Sequence, residues 1–315
     1  MTLLTIFKSG FTMASSEPFI IDVLMGEPVT LEMMTDDISG ARIVYIGEIH
    51  TVARHHRLQM QILRTLAERG LKLSLGMEMF SREQQPILDK WQKGNESVAK
   101  LTEELGKEHW TNLRDYEGVL VQARESGIPI IGLNAKDVLV RKIARQGIEG
   151  LNEAERNELP PRFTEINPLN DRLLRLRLKV HKAFEKKSLD RIVLAQALRD
   201  ATMGSVVAAY LDSPGGRDRI MVVIAGTGHV NYGFGIPERV RELTGLSYRI
   251  ILPSESGELV LSEEEKRQAL PVHITHEDLK FIRVPIADYL HVIPLRAPRP
   301  DSGSDDQAPT MARED

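Results

Sequence analysis

The sequence predicts an α/β protein with a mostly parallel central sheet flanked by helices and a helical insertion. Three observations predict it. Apolar runs of strand length alternate with amphipathic helical segments, the pattern of parallel strands joined by crossover helices. Several of those runs end on a residue capable of chemistry, and in an open parallel sheet ligands sit beyond the carboxyl ends of the strands. Residues 136–212 contain no strand-like run at all.

The elements follow in order. "RIVYIGEIHT", residues 42–51, reads as a buried strand that delivers Glu48 and His50 to its own end. Leu58, Ile62 and Leu66 then recur at four-residue spacing, one stripe of a helix closed by Gly70. "LKLSLGMEMF" is a second strand, ending near Glu78. Helical segments run through "REQQPILDKWQKG", "ESVAKLTEELGKEHW" and "LRDYEGVLVQARESG". Gly127 and Pro129 then mark the return to a third strand, "IPIIGLN", which finishes on Asn134.

The helical stretch includes "DRLLRLRLKVHKAFEKK" and "RIVLAQALRDATMGSVVAAYL", broken at Pro160-Pro161 and Pro168, and reads as an insertion or cap between two halves of one sheet. The strand "RIMVVIAG" comes next, then a Gly-rich turn with His229, a short helix near "PERVRELTG" and a last strand, "SYRIILP"; "FIRVPIADYLHVIPL" adds an extended edge segment. Residues 1–18 are expected to form a flexible leader, 19–298 the domain, and 299–315, almost without apolar content, a disordered tail.

Composition sets limits on function. A chain of 315 residues with a formal charge of −4 and no basic face has little electrostatic support for a nucleic-acid partner. Cysteine is absent, which excludes disulfides, thiolate metal sites, a cysteine nucleophile and lipidation at cysteine. The apolar patch at the N-terminus is too short to span a bilayer and has no basic residue ahead of it. A chain without a transmembrane anchor, resident in the cytoplasm, is expected; a poorly formed signal peptide is the alternative.

Glu48, His50, Glu78, Asn134 and His229 all fall at or just past expected strand ends, so one edge of the sheet can gather them. Imidazoles and carboxylates bind Zn²⁺, Mn²⁺ or Fe²⁺, and an open coordination position lets such a metal acidify a bound water for hydrolysis. Glu48 or Glu78 then serves as general base. Without a divalent ion the same groups orient a ligand or bind the iron of a porphyrin, for which His and Tyr are the available axial ligands; Tyr45, Tyr116, Tyr232 and Tyr289 are the tyrosines of interest.

Each residue also has a plainer reading. A lone strand-end His is usually a hydrogen-bonded structural residue, and Asn134 can simply cap the next helix. His55 and His56 read as first-turn helix residues, with His55 the better outside candidate for a ligand. Arg199 and Asp200 read as an exposed or paired helix surface unless the helical insertion folds over the sheet edge, and Trp91 and Trp110 as core packing. His109, His181, His273, His276 and His291 are read as structural. "GTGHVNYGFG" matches neither dinucleotide-binding nor P-loop spacing and reads as a tight turn that aims His229.

The ordered motifs "YIGEIHTVARHHRLQMQILRTL", "GMEMFSREQQPILDKW", "PIIGLNA", "AGTGHVNYGFGIPERV" and "IADYLHVIP" resemble the ChaN-like haem-binding proteins over residues 43–294. That family is related to the erythromycin-esterase-like proteins and to the TIKI/TraB metalloproteases, which are similar in having two G-x-x-H motifs and a glutamate. Here the resemblance implies His50, His229 and Glu78 as a metal site. It implies two functions: haem binding in haem or iron uptake, by a dimer with two haems stacked face to face, or hydrolysis at a metal-assisted or His/Glu-assisted site. Whether the chain is an enzyme stays open. Tyr116 and Tyr289 fall in family-like stretches. The family's lipid anchor needs a cysteine, and this chain has none.

Overall fold

A computed structural model describes residues 18–178, 186–256 and 274–294. The expected leader, apart from Pro18, and the expected tail lie outside the described residues, as do His181 and His273.

Eight strands form one sheet: β1 (Phe19–Asp22), β2 (Glu27–Val29), β3 (Ile43–Glu48), β4 (Leu73–Ser81), β5 (Ile130–Asn134), β6 (Ile220–Gly226), β7 (Tyr248–Ser256) and β8 (Tyr289–Pro294). Their order is β2-β1-β8-β7-β3-β6-β4-β5. Every pairing from β8 to β5 is parallel, and only β1 runs antiparallel to its neighbours. The sheet is therefore mostly parallel, as the alternating pattern predicts. The "IADYLHVIP" segment is not an edge: β8 lies between β7 and β1, because β1 pairs Ile20 with His291 and extends the sheet one hairpin further.

Period-2 alternation assigns the two faces. On β3, Val44 and Ile46 join the cluster that contains Leu58, Ile62 and Leu66 of α2 (Ala53–Glu68), while Ile43 and Tyr45 join Met203, Val207 and Leu211 from the other side. β3 and β6 are buried along their whole length, so their near-continuous apolar runs are what a strand covered on both faces requires. Each such Val, Ile or Leu contributes roughly 1.5–3 kcal/mol by leaving water.

The first face is covered by α1 (Leu31–Ile38), α2, α3 (Gln85–Lys93), α4 (Val98–Leu105) and α5 (Glu117–Glu125). The connection from β5 to β6 is helical, with α6 (Asp137–Gln146), α7 (Glu153–Asn157), α8 (Pro168–Leu178) and α9 (Lys186–Asp212). Within it, α9 packs on β5, α6 and α10 (Ile236–Thr244), and so covers the second face. Ser188–Asp212 is the one segment among the described residues long and apolar enough to cross a membrane; here Met203, Val207 and Leu211 spend that apolarity on the sheet.

Candidate functional site

The strands β3, β6, β4 and β5 are consecutive in the sheet; Glu48 and Asn134 end β3 and β5, His229 follows β6, and Glu78 lies in the last part of β4. β3 and β4, joined by α2, are not neighbours: β6 enters between them. Residues from four separate parts of the chain thus meet at one edge.

Glu48 lies on the α2 face and is 2% exposed. Its Oε1 accepts hydrogen bonds from the Tyr116 hydroxyl and from His50 Nδ1 at 2.8 Å, and its Oε2 accepts from Gln59 Nε2. Since a carboxylate can only accept, the His50 proton sits on Nδ1. His50 Nε2 then lies 3.9 Å from Glu78 Oε2 and makes no hydrogen bond among the described residues; 30% of the His50 side chain is exposed. Burial opposes protonation of His50, but the Glu48 hydrogen bond and the charges of Glu78 and Glu48 outweigh it and raise its pKa. Trp110 meets the ring edge-on, centroids 4.9 Å apart.

Glu78 is not a strand-end residue. β4 continues to Ser81, and its register against β5 shifts between Met77 and Ser81, so Glu78 sits in an irregular stretch that lets Met79 and Phe80 both reach the α2-side core. The Glu78 carboxylate turns to the α9 side. Oε2 accepts from Gly226 N at 2.7 Å, and Oε1 lies 3.2 Å from His229 Nε2. His229 Nδ1 contacts Asp200 Oδ1 at 2.5 Å.

One imidazole thus stands between two buried carboxylates. Burial disfavours every charge there, yet the charges of Glu78 and Asp200 push the His229 pKa up to about 10. Burial likewise works against the Glu78 anion, and the His229 charge prevails, drawing its pKa down to about 2. Asp200 is raised by burial, which its share of the same imidazolium does not offset.

Gly226 makes the two halves contiguous. A Cβ there would stand 3.0 Å from His50 Nε2 and 3.6 Å from Glu78 Oε2, so a side chain would fill the space between the two imidazole systems. The Gly-rich turn after it is two short 3-10 turns; Gly235, at φ +66°, passes so close to the His229 carbonyl that a Cβ would lie 2.5 Å from it.

Asn134 adjoins this network without entering it: Nδ2 donates to the Glu78 carbonyl and Oδ1 accepts from Ala135 N. Tyr116 is wholly buried beneath Glu48. The other tyrosines lie elsewhere. Tyr45 is inside the α9-side core, Tyr289 donates to Asp37 of α1, and Tyr232 occupies a left-handed turn after His229. His55 and His56 are first-turn residues of α2, and His55 Nδ1 accepts from Ile49 N.

Of the two readings of Asp200, surface or cap, the structure takes the second: Asp200 is 3% exposed, because α9 folds over the sheet edge and turns residues 200, 203 and 207 inward together, while Arg199 is a paired residue, bonded to Asp137. Trp110 packs against the α2-side core, as expected, and its ring also meets His50; with Glu78, Asn134 and Met79 it lines a cleft of about 290 Å³. Gln59 and Gln196, the latter against His229, were not singled out, although Gln59 falls on the apolar stripe of α2 where a polar residue needs a buried partner.

Among the described residues no group of three His, Asp or Glu converges to hold a metal. The donors face one another instead: both Glu78 oxygens are engaged by Gly226 and His229, and His229 spends both nitrogens on carboxylates.

Fold and site together define an α/β protein with a helix-covered parallel sheet and a buried carboxylate–imidazole network at the strand ends. The chain belongs to the family described as haem-binding uptake, Tiki superfamily, ChaN, whose model matches residues 34–240. ChaN of Campylobacter jejuni, solved with cofacial haem binding, is similar in fold, with a TM-score of 0.63 and 20% identity over 87% of this chain and 95% of that one. An erythromycin esterase mutant in its open conformation aligns at a TM-score of 0.45 and 17% identity, over 72% of this chain and 73% of that one. The chloroplastic protein RETICULATA-RELATED 5 of Arabidopsis thaliana is 26% identical over 269 residues, 77% of this chain. The chain spans 36% of that relative's length.

Proposed function

We propose that this protein binds haem at the strand-end site, with His50 as the iron ligand. The observation that carries the reading is the arrangement of the His50 ring: Nδ1 is committed to a buried carboxylate, Nε2 has no hydrogen-bond partner among the described residues, and the side chain is partly exposed. Iron-binding imidazoles commonly have their second nitrogen fixed by a carboxylate, which orients the ring and raises its basicity. The donor set therefore fits the group that the family description implies. The cleft takes only part of a porphyrin, being at the small end of the roughly 300–1,000 Å³ range of pockets that enclose ligands. The uncovered face suits a second copy, in keeping with the cofacial binding described for the Campylobacter jejuni protein. Haem or iron uptake or handling is the corresponding role.

The test is an absorbance titration of the purified protein with haemin. A saturable Soret change in the wild type that is lost in His50→Ala supports the reading; a wild type with no saturable change overturns it.

A second reading has its own observation. The Glu48–His50 contact at 2.8 Å also suits a general base with its acceptor nitrogen open, so a His/Glu hydrolase is the alternative. Bound transition metal and ester hydrolysis that both disappear in a His50→Ala, His229→Ala protein, without a haem response in the wild type, would favour it.

A further inference from the structure

We propose that the cleft beside His50 is a carboxylate subsite, in which Arg141 and Arg199 receive the acidic groups of a flat, apolar ligand. The proposal deepens the haem reading and rests on it for the ligand's identity. Arg199 Nη2 lies 3.3 Å from Asp137 Oδ1, and Arg141 pairs with the other oxygen of the same carboxylate. One carboxylate thus serves two guanidiniums, and each guanidinium brings five N–H donors. Both arginines line the cleft. A third cation, the exposed Lys107, lines the same cleft.

The lining also holds three acids, Glu78, Glu108 and Asp137, so its formal charges balance. Glu78 is engaged by His229 and the Gly226 amide, Glu108 is exposed, and Asp137 is shared by the two arginines, which leaves guanidinium donors to an incoming carboxylate. Trp110 and Met79 supply the apolar part of the same wall. A ligand that suits both is planar and apolar in its body and carries carboxylates at one edge, as the porphyrin of haem does. Guanidiniums bind carboxylates bidentately and with charge assistance, which makes them the appropriate partners.

The experiment uses metal-free protoporphyrin and its dimethyl ester, followed by quenching of tryptophan fluorescence, with haemin titrated in parallel. The full chain and an Arg141→Ala, Arg199→Ala variant are compared, each checked for an unchanged thermal midpoint. The wild type is expected to bind the diacid roughly tenfold or more tighter than the ester, and the variant to lose that preference. Equal binding of acid and ester by the wild type overturns the subsite even if haemin titrates normally, and the haem reading then stands without it. A clear preference for the diacid with no ligation change on adding haemin supports the subsite and removes the haem reading. Absence of binding by either porphyrin overturns the subsite, and the haem reading falls with it only if haemin too gives no saturable change.

Discussion

Glu78 and His229 meet across two adjacent strands, Oε1 to Nε2 at 3.2 Å, with Asp200 from α9 closing on the far side of the same imidazole at 2.5 Å. All three side chains are almost excluded from water. Removing the imidazole leaves two buried carboxylates facing each other. His229→Ala is therefore expected to destabilise the fold by about 3–5 kcal/mol, the cost of breaking a buried ion pair from one side. Urea unfolding measures it, and a loss below about 1 kcal/mol would contradict the charged network.

The same pair fixes a pH profile. The folded pKa of His229 is raised, from an ordinary 6.5 to about 10, so its contribution is fully present below 6.5 and is lost as pH rises through about 10. The folded pKa of Glu78 is lowered, from 4.5 to about 2, so its contribution is present above 4.5 and is lost as pH falls through about 2. The network therefore supports the fold best between these limits. Thermal midpoints across pH should decline on both sides, and His229→Gln should flatten the alkaline limb; an unchanged alkaline limb in that variant would exclude the assignment.

Gly226→Ala separates binding from folding. The added methyl would press on His50 Nε2 at 3.0 Å and Cε1 at 3.3 Å, and the ring is partly exposed and free to yield. The ring is expected to swing out of line with Glu48, weakening haem binding several-fold, while stability changes by less than about 1 kcal/mol. Undiminished haemin affinity would show that the ring position does not matter for binding.

Tyr116→Phe tests the buried side of the network. The hydroxyl donates to Glu48 from a position with no solvent exposure, so its loss is expected to cost about 1–3 kcal/mol. Haemin titration should survive, because the Glu48–His50 bond remains. A titration abolished by this change alone would move the iron ligand from His50 to Tyr116.

Much of the fold was legible in the sequence. β3 and β6 are near-continuous apolar runs, because strands covered on both faces need no alternation, and β4, β5 and β7 are apolar over most of their buried length. β1 and β2 escaped notice, being four and three residues long with mixed burial. The interior position of β8 was hidden with them, since without the antiparallel hairpin nothing places a strand beyond it. Glu48, His50 and His229 were readable from strand ends. Asp200 was legible only conditionally: an acid in a long helix reads as surface unless that helix lies over the sheet edge, and the helical pattern alone does not fix where α9 docks.

By itself the sequence determined the alternation of strands and helices, the strand-end placement of Glu48, His50 and His229, and the family likeness. These are local properties, set by hydrophobic period and by which residues follow each apolar run. Only the tertiary structure decided that β6 enters between β3 and β4, that a register shift turns Glu78 towards α9, and that Asp200 completes the imidazole's surroundings. Those are non-local: strand order and helix docking are chosen by how two apolar faces are buried at once, and no single stretch of chain encodes that choice.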